Sequence, residues 1–383
     1  MTAEKSGGRI RLLDILRGFA IFGTLGTNIW IFAHLGDLNL LFNHDSPWWA
    51  SADTFLQLIV LFLVNGKFLG MLTILFGVGL ELKYRQALRR GDPWPGAYLW
   101  ICLFLLAEGF LHFVLVMEYD ILMSYAVTAI IVAHIVRGGD RRINRTLKGL
   151  GGGYVLFMLA IAVLEFGLVA SGGNLSWGDM NPVVALYREG TWLEQVIYRL
   201  SNFLVLRIEA IFVIPLNVIL FLAGVRLMRA GAFAPDERGR RIRRRMLRIG
   251  LGLGVPLNLL MFFPGGGFDL GVRYLFAPIL SLGYMALIAR LVEKSEHLRV
   301  WRYAESVGKM SLSCYVLQNI LASCLFYGWG LGLGGRLDSL SVIGVWLAVC
   351  LAEAVFAGWW MKRMRLGPME WTRKSLLRLV AAR

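Results

Sequence analysis

The chain has 383 residues, 57% of them hydrophobic and 17% charged, with 40 Lys and Arg against 25 Asp and Glu for a formal charge of +15. A mean hydropathy of +0.62 excludes an ordinary soluble globule. The basic charge excludes less than it seems to, because its meaning depends on where the cations lie.

A helix that crosses a bilayer needs about 20 predominantly apolar residues. Such stretches recur near 15 to 35, 54 to 82, 97 to 116, 120 to 136, 150 to 170, 203 to 228, 247 to 263, 272 to 291, 309 to 329 and 340 to 361. The predicted fold is therefore all-α, a polytopic membrane helical bundle of about ten transmembrane helices in one domain spanning 1–383. Residues 15–136 hold most of the polar motifs, 171–202 form an extracytoplasmic loop, and 203–383 form the C-terminal region. Arg17, Lys67 and Arg207 fall within spans, Arg188, Arg199, Arg273 and Arg336 in or at the edge of alternate loops, and every other Lys and Arg in, or at a span end bordering, the segments on the side of the N-terminus. That asymmetry puts both termini in the cytoplasm and makes the protein a multi-pass protein of the cell membrane. It accounts for the charge by topology, and nucleic acid is not an expected partner.

Ionisable residues inside spans carry the strongest functional signal, since one such charge at the bilayer centre costs about 2.5 to 3.5 kcal/mol on insertion scales. The first span opens with Arg11, Asp14 and Arg17 and contains Asn28. The second is too long for one straight helix and carries Asn65-Gly66-Lys67 at its middle, which predicts a break there. In the third, Glu108 and His112 stand four apart and share a helix face. The fourth begins at Asp120 and contains Tyr125, and the loop at 171–202, with Trp192 and Tyr198, either lies along the interface or caps a cavity. Arg207 and Glu209 open the sixth span, and Gln318 and Asn319 lie in the ninth. The run Arg238 to Arg248 reads as a loop facing anionic lipid, with phosphate binding as the rival reading. Cys102, Cys314, Cys324 and Cys350 fall inside predicted helices without metal-ligand spacing, so no metal is expected. Met369 and Leu376, opposite Arg373, Lys374 and Arg378, mark an amphipathic C-terminal helix.

At a rise of about 1.5 Å per residue, Asn28, His112, Asp120, Arg207 and Glu209 gather in the outer half of the bundle, with Lys67 near mid-depth. Each has a plain alternative: Glu108 and Glu209 could pair with Lys67 and Arg207 simply to join helices, and His112 could be an interhelical hydrogen-bonder. His34, at the end of the first span, is a rival to His112.

The motifs Arg11-x-x-Asp14-x-x-Arg17-Gly18, Asn65-Gly66-Lys67-Phe68 with Leu75-Phe76-Gly77-Val78-Gly79, Gly109-x-x-His112 with Asp120-Ile121-Leu122 and Tyr125-Ala126, Gly308-Lys309-Met310-Ser311-Leu312 with Tyr315-x-x-Gln318, and Gly367-Pro368-Met369-Glu370-Trp371 occur in that order. Together they resemble the YeiB-type membrane proteins that carry domain of unknown function 418, a group placed with transmembrane acyltransferases. The family's usual threonine-asparagine before the ninth-span tyrosine is Ser313-Cys314 here. The resemblance implies transfer of an acyl group from cytoplasmic acyl-CoA, as cosubstrate, to an extracytoplasmic hydroxyl or amine acceptor such as a sugar, glycolipid or small metabolite. His112 would then be the base, a role suited to a group titrating near neutrality, with Glu108 or Asp120 orienting it and Asn28 or Lys67 facing the oxyanion. Arg11, Asp14 and Arg17 would form the cofactor end, the arginines holding the CoA phosphates, and Tyr125, Arg207, Glu209 and Gln318 would meet the acceptor. Membrane lipids are expected partners, and a homodimer is left open. The other class the residues allow is a transporter or flippase for a small anion or lipid-linked sugar, with Lys67, Arg207 and Glu209 as coupling residues.

Overall fold

The computed structural model describes residues 10–39, 48–173, 176 and 178–381. Among them the structure is helical throughout, without a β-strand. In chain order the helices are α1 Arg11–Ala33, α2 Ala52–Val64, α3 Lys67–Arg90, α4 Tyr98–Leu115, α5 Leu122–Arg137, α6 Gly139–Ala170, α7 Asn181–Glu189, α8 Trp192–Ser201, α9 Phe203–Leu206, α10 Ala210–Ala230, α11 Glu237–Gly252, α12 Gly254–Asn258, α13 Asp269–Gly271, α14 Ala277–Lys294, α15 Val300–Lys309, α16 Ser311–Phe326, α17 Ser339–Arg363 and α18 Pro368–Ala381. A single π turn, Val272–Phe276, joins α13 to α14.

Eight stretches among the described residues are long and apolar enough to cross a membrane, α2 and α3 counting as one interrupted stretch, and α5 and α16 are shorter apolar helices where two further spans are predicted. The chain is a polytopic all-α bundle. Lipid explains its outer faces: α6 buries only Ile143, Tyr154, Met158 and Glu165, while Leu156, Val163 and Leu164 are exposed. In a membrane such side chains meet hydrocarbon at no cost.

Two interruptions shape the interior. Asn65 is extended and Gly66 adopts a left-handed conformation at φ +76°, so the backbone changes course between α2 and α3 where the sequence puts a break. A Cβ on Gly66 would lie 2.9 Å from the carbonyl oxygen of Arg273 and from Ala277. The break therefore faces the π turn, and only glycine combines that φ with that approach. Elsewhere glycine lets helices touch backbone to backbone: Gly18 and Gly308 seat α1 on α15, Gly77 and Gly224 seat α3 on α10, and Gly250 and Gly283 seat α11 on α14. With lipid on the outside and no hydrophobic force between helices, such close packing is a main source of cohesion.

Both ends of the described chain lie at one end of the bundle. Gly308 abuts the Asp14 backbone and Gly367 lies against Met310, and at this near end Arg229 joins Glu81 of α3 to Asp140 of α6. α15 lies between the eighth and ninth predicted spans. Its apolar face, with Trp301, Ala304 and Val307, is buried under α1, a contact that only the tertiary fold reveals. At the far end, α7 and α8 fold over the bundle. α8 opens with a reciprocal cap between Thr191 and Glu194, and Gly328 donates its amide to the carbonyl of Tyr187.

Candidate functional site

α4 and α5 are neighbours joined by a short turn, and that turn carries the centre of the site. Asp120 accepts a hydrogen bond from the Met123 amide at 3.0 Å, which satisfies one of the open donors at the start of α5. Its other carboxylate oxygen lies 3.1 Å from Nδ1 of His112, one turn before the end of α4, although the angle falls short of a well-aligned hydrogen bond. Arg207, on the segment between α9 and α10, donates to the Asp120 carbonyl at 2.8 Å and sits 3.8 Å from the carboxylate, with its guanidinium 4.6 Å from the Phe113 ring centroid.

Two amides extend this centre across the bundle. Nδ2 of Asn319, on α16, is 3.2 Å from Nε2 of His112, and Nδ2 of Asn28, on α1, donates to Oδ1 of Asn319 at 3.2 Å. The polarity of this chain follows from the orientation of its two amides. If Asn28 donates to Asn319, then Asn319 presents its own N–H to His112, so Nε2 must accept and the ring proton belongs on Nδ1, toward Asp120. A neutral imidazole with a lone pair on Nε2 and a carboxylate behind Nδ1 is the arrangement a general base requires. His112 and Asp120 are each 3% exposed.

Beside this chain lies a cavity of about 90 Å³, whose lining includes Asn28, Asp120 and Arg207. The lining also holds Glu209, which pairs with Arg273 at 3.1 Å and accepts a hydrogen bond from Tyr274. Toward the far end Glu118 accepts from the Tyr187 hydroxyl at 2.6 Å and lies 3.5 Å from Arg199, whose guanidinium also donates to the Val114 carbonyl at 2.7 Å. Burial pulls the Arg199 guanidinium down, but Tyr187, Glu118 and Tyr327 outweigh it and hold the group above its ordinary pKa. Arg199 thus stays charged and ties α8 to the turn that carries Asp120.

The structure brings together Asn28, His112, Asp120 and Arg207, and it places Glu209 on the same cavity but apart from Arg207. Glu108 shares a face with His112 yet points to α18, where it is 3.9 Å from Arg373, so Asp120 and not Glu108 stands behind the imidazole. Lys67 is fully buried just past the helix break, its Nζ 5.6 Å from the Phe62 ring centroid and without a hydrogen-bond partner, and it is not among the cavity-lining residues. Tyr125 reaches the cavity wall through Thr73, at 2.8 Å between hydroxyls. Gln318 is buried beside Asn319 without lining the cavity. His34 caps the C-terminal end of α1 and does not line the cavity either. At the near end Arg11 bonds Glu305 at 2.9 Å and Glu296 at 3.2 Å, and Arg17 lies 3.2 Å from Asp14. Sequence reasoning missed Asn319 as the partner of the imidazole, although it adjoins Gln318, and it left Arg273 in a loop and Glu118, Tyr274 and Asn217 without a role. Their polar character in apolar surroundings was the available signal.

Residues 227–379 match the family model described as a protein of unknown function (DUF418). Along almost its whole length the chain is similar to three bacterial proteins. The uncharacterized protein YxaH of Bacillus subtilis is 25% identical over 96% of this chain and 94% of its own. The uncharacterized protein YeiB of Escherichia coli is 27% identical over 95% of each. An uncharacterized 39.9 kDa protein in the amylase 3' region of Bacillus acidopullulyticus is 26% identical over 95% of this chain and 92% of its own. No solved structure matches.

Proposed function

The chain is a YeiB-type protein of the DUF418 family, and from that premise we propose that it is an integral membrane acyltransferase, moving an acyl group from cytoplasmic acyl-CoA to an extracytoplasmic hydroxyl or amine. One observation carries this reading: the buried chain Asn28, Asn319, His112, Asp120, whose two end residues line a polar cavity while His112 and Asn319 lie just behind the lining, and which leaves Nε2 of His112 as its basic atom. In the reaction, Nε2 takes the acceptor's proton as the acceptor oxygen or nitrogen bonds to the thioester carbonyl carbon. The carbon–sulfur bond then breaks, and the CoA thiolate receives the proton back from His112. Asp120 steadies the imidazolium between these steps, and Arg207 holds Asp120 in place.

The oxyanion needs a donor from the cavity wall. Asn28 and Arg207 line it and Lys67 does not, so the role suits the first two better. One such donor supplies about 3 to 4 kcal/mol. Asn319 covers Nε2, and the acceptor must displace its amide to reach the base. At the near end the cations nominated for the CoA phosphates are engaged, Arg11 with Glu296 and Glu305 and Arg17 with Asp14. A phosphate would have to compete for them, or use the exposed Arg238, Arg241, Arg245 and Arg248 of α11.

Thiol release from acetyl-CoA and longer acyl-CoAs by proteoliposomes supplied with a membrane extract tests the proposal. His112→Ala should lower turnover by about 10² to 10⁴-fold with acyl-CoA affinity kept, and an unchanged rate would return His112 to helix packing. A second reading, transport, draws on the helix break at Gly66 facing the π turn at 272–276, two interrupted helices meeting at a polar cavity. Lys67, Arg207 and Glu209 would then couple movement of the solute. Solute uptake by the same vesicles with no thiol release would favour it.

A further inference from the structure

The cavity's polar groups define what it can hold. Its lining acids are Glu118, Asp120 and Glu209 and its lining cations Arg207 and Arg273. Both cations already face carboxylates, Arg207 that of Asp120 and Arg273 that of Glu209, while Glu118 takes Arg199 from just outside the lining. An anionic ligand would find no cation that is not already opposed by an acid, and would add a negative charge to three others. In a site of low dielectric constant such a juxtaposition is strongly unfavourable.

What the cavity offers instead is neutral hydrogen bonding. Asn217 is 3% exposed and its Nδ2 has no partner, while Glu118, 1% exposed, and Asn65 each have a buried oxygen with none. All three residues line the same cavity. Buried polar atoms are nearly always satisfied, and an orphaned cluster around one space points to something that fills it. One donor and two acceptors suit a group that both accepts and donates, such as a pair of hydroxyls.

The rest of the lining is hydrocarbon, including Leu69, Val213, Leu216 and Leu220. Next to the lining residues Leu206, Arg207, Glu209 and Ala210, the side chains of Leu204, Val205, Ile208 and Ile211 are 83%, 69%, 52% and 64% exposed. In this part of the chain the cavity wall is separated from lipid by a single segment. We infer that the cavity takes an uncharged, hydroxyl-headed amphiphile from the bilayer, its hydroxyls bridging Asn217 to Asn65 and Glu118. This rests on the acyltransferase reading only in making that amphiphile the acceptor.

Native mass spectrometry of the full chain, released from phosphatidylcholine nanodiscs without any acyl donor, tests the inference. The probes are 1-monooleoylglycerol and oleoyl lysophosphatidate, which share the glycerol and the chain and differ by the phosphate. The monoacylglycerol should be retained at least about tenfold more tightly than the lysophosphatidate, and Asn217→Leu should weaken it by about two- to tenfold. Should that variant fail to fold, Asn65→Ala, at a backbone position open to any residue, reports the same loss. Equal or tighter binding of lysophosphatidate, no binding of either probe, or normal binding by a folded variant would overturn the inference. Binding without acyl transfer would leave it standing and remove the acyltransferase reading. Acyl transfer to an anionic acceptor would do the reverse.

Discussion

Asp120 serves two neighbours with its two carboxylate oxygens, the Met123 amide at the start of α5 and the His112 imidazole. Asparagine can keep the first contact through its oxygen but can no longer pair with a protonated imidazole. Asp120→Asn should therefore leave the thermal midpoint of the purified protein within the equivalent of about 1 kcal/mol, while lowering turnover about 10- to 100-fold. A collapse of stability with no separate loss of turnover would make Asp120 a helix cap and nothing more. Lys67 presents the opposite balance. It is fully buried, with an aromatic ring and no hydrogen-bond partner near its amine, so in the bundle alone its polar end is a cost. Lys67→Met keeps the length of the side chain and removes that cost, and should raise the thermal midpoint by the equivalent of about 1 to 4 kcal/mol. A fall of similar size would show that a ligand or lipid group satisfies the amine in the membrane.

Helices meet in this protein where glycine allows their backbones to approach. A Cβ at Gly308 would stand 1.7 Å from the Asp14 carbonyl oxygen, whereas one at Gly167 on α6 would meet nothing within 4 Å. Gly308→Val should cost about 1 to 3 kcal/mol by forcing α1 and α15 apart, and Gly167→Ala should be neutral or stabilise by up to about 1 kcal/mol. Equal effects in a denaturation series would mean that the α1–α15 contact contributes little. The same contact carries a pH dependence. Burial raises the Glu305 carboxyl, but its hydrogen bonds to Lys309 and Arg11 outweigh that and hold it below the ordinary carboxylate value. A carboxylate depressed in the folded state stabilises above its unfolded pKa, and that contribution disappears as the pH falls through the folded value. The thermal midpoint of the wild type should therefore drop on the acid side of about pH 4 more steeply than that of Glu305→Gln.

Across the whole molecule, the polar chain, the cavity and the α7–α8 cap occupy the far end, and the termini and the arginines of α11 the near end. If the near end faces the cytoplasm, as the Lys and Arg asymmetry predicts, a reporter cysteine at Ser171 should react with an impermeant maleimide in intact cells. One at Arg241 should react only after the inner face is opened. Reversed labelling would put the proposed base on the cytoplasmic side and end the idea of transfer across the membrane.

Composition and periodicity make the all-α membrane bundle legible in the sequence, because a bilayer demands long apolar runs and leaves cations on one side. The Asn65-Gly66 break was equally readable, since it lies in local backbone chemistry. Depth arithmetic also assembled Asn28, His112, Asp120, Arg207 and Glu209 at one level, because rise per residue and the order of the spans are properties of a single chain. Partners at that level were another matter. Glu108 and Asp120 were equal candidates behind His112 until helix rotation turned one to Arg373 and the other to the ring. Arg207 and Glu209, two residues apart, went to different partners, and Asn319 met Asn28 across 291 residues of sequence. Spacing along one helix says which side chains share a face. Which face meets which neighbour depends on how helices far apart in sequence pack against one another, and that the tertiary structure alone decided.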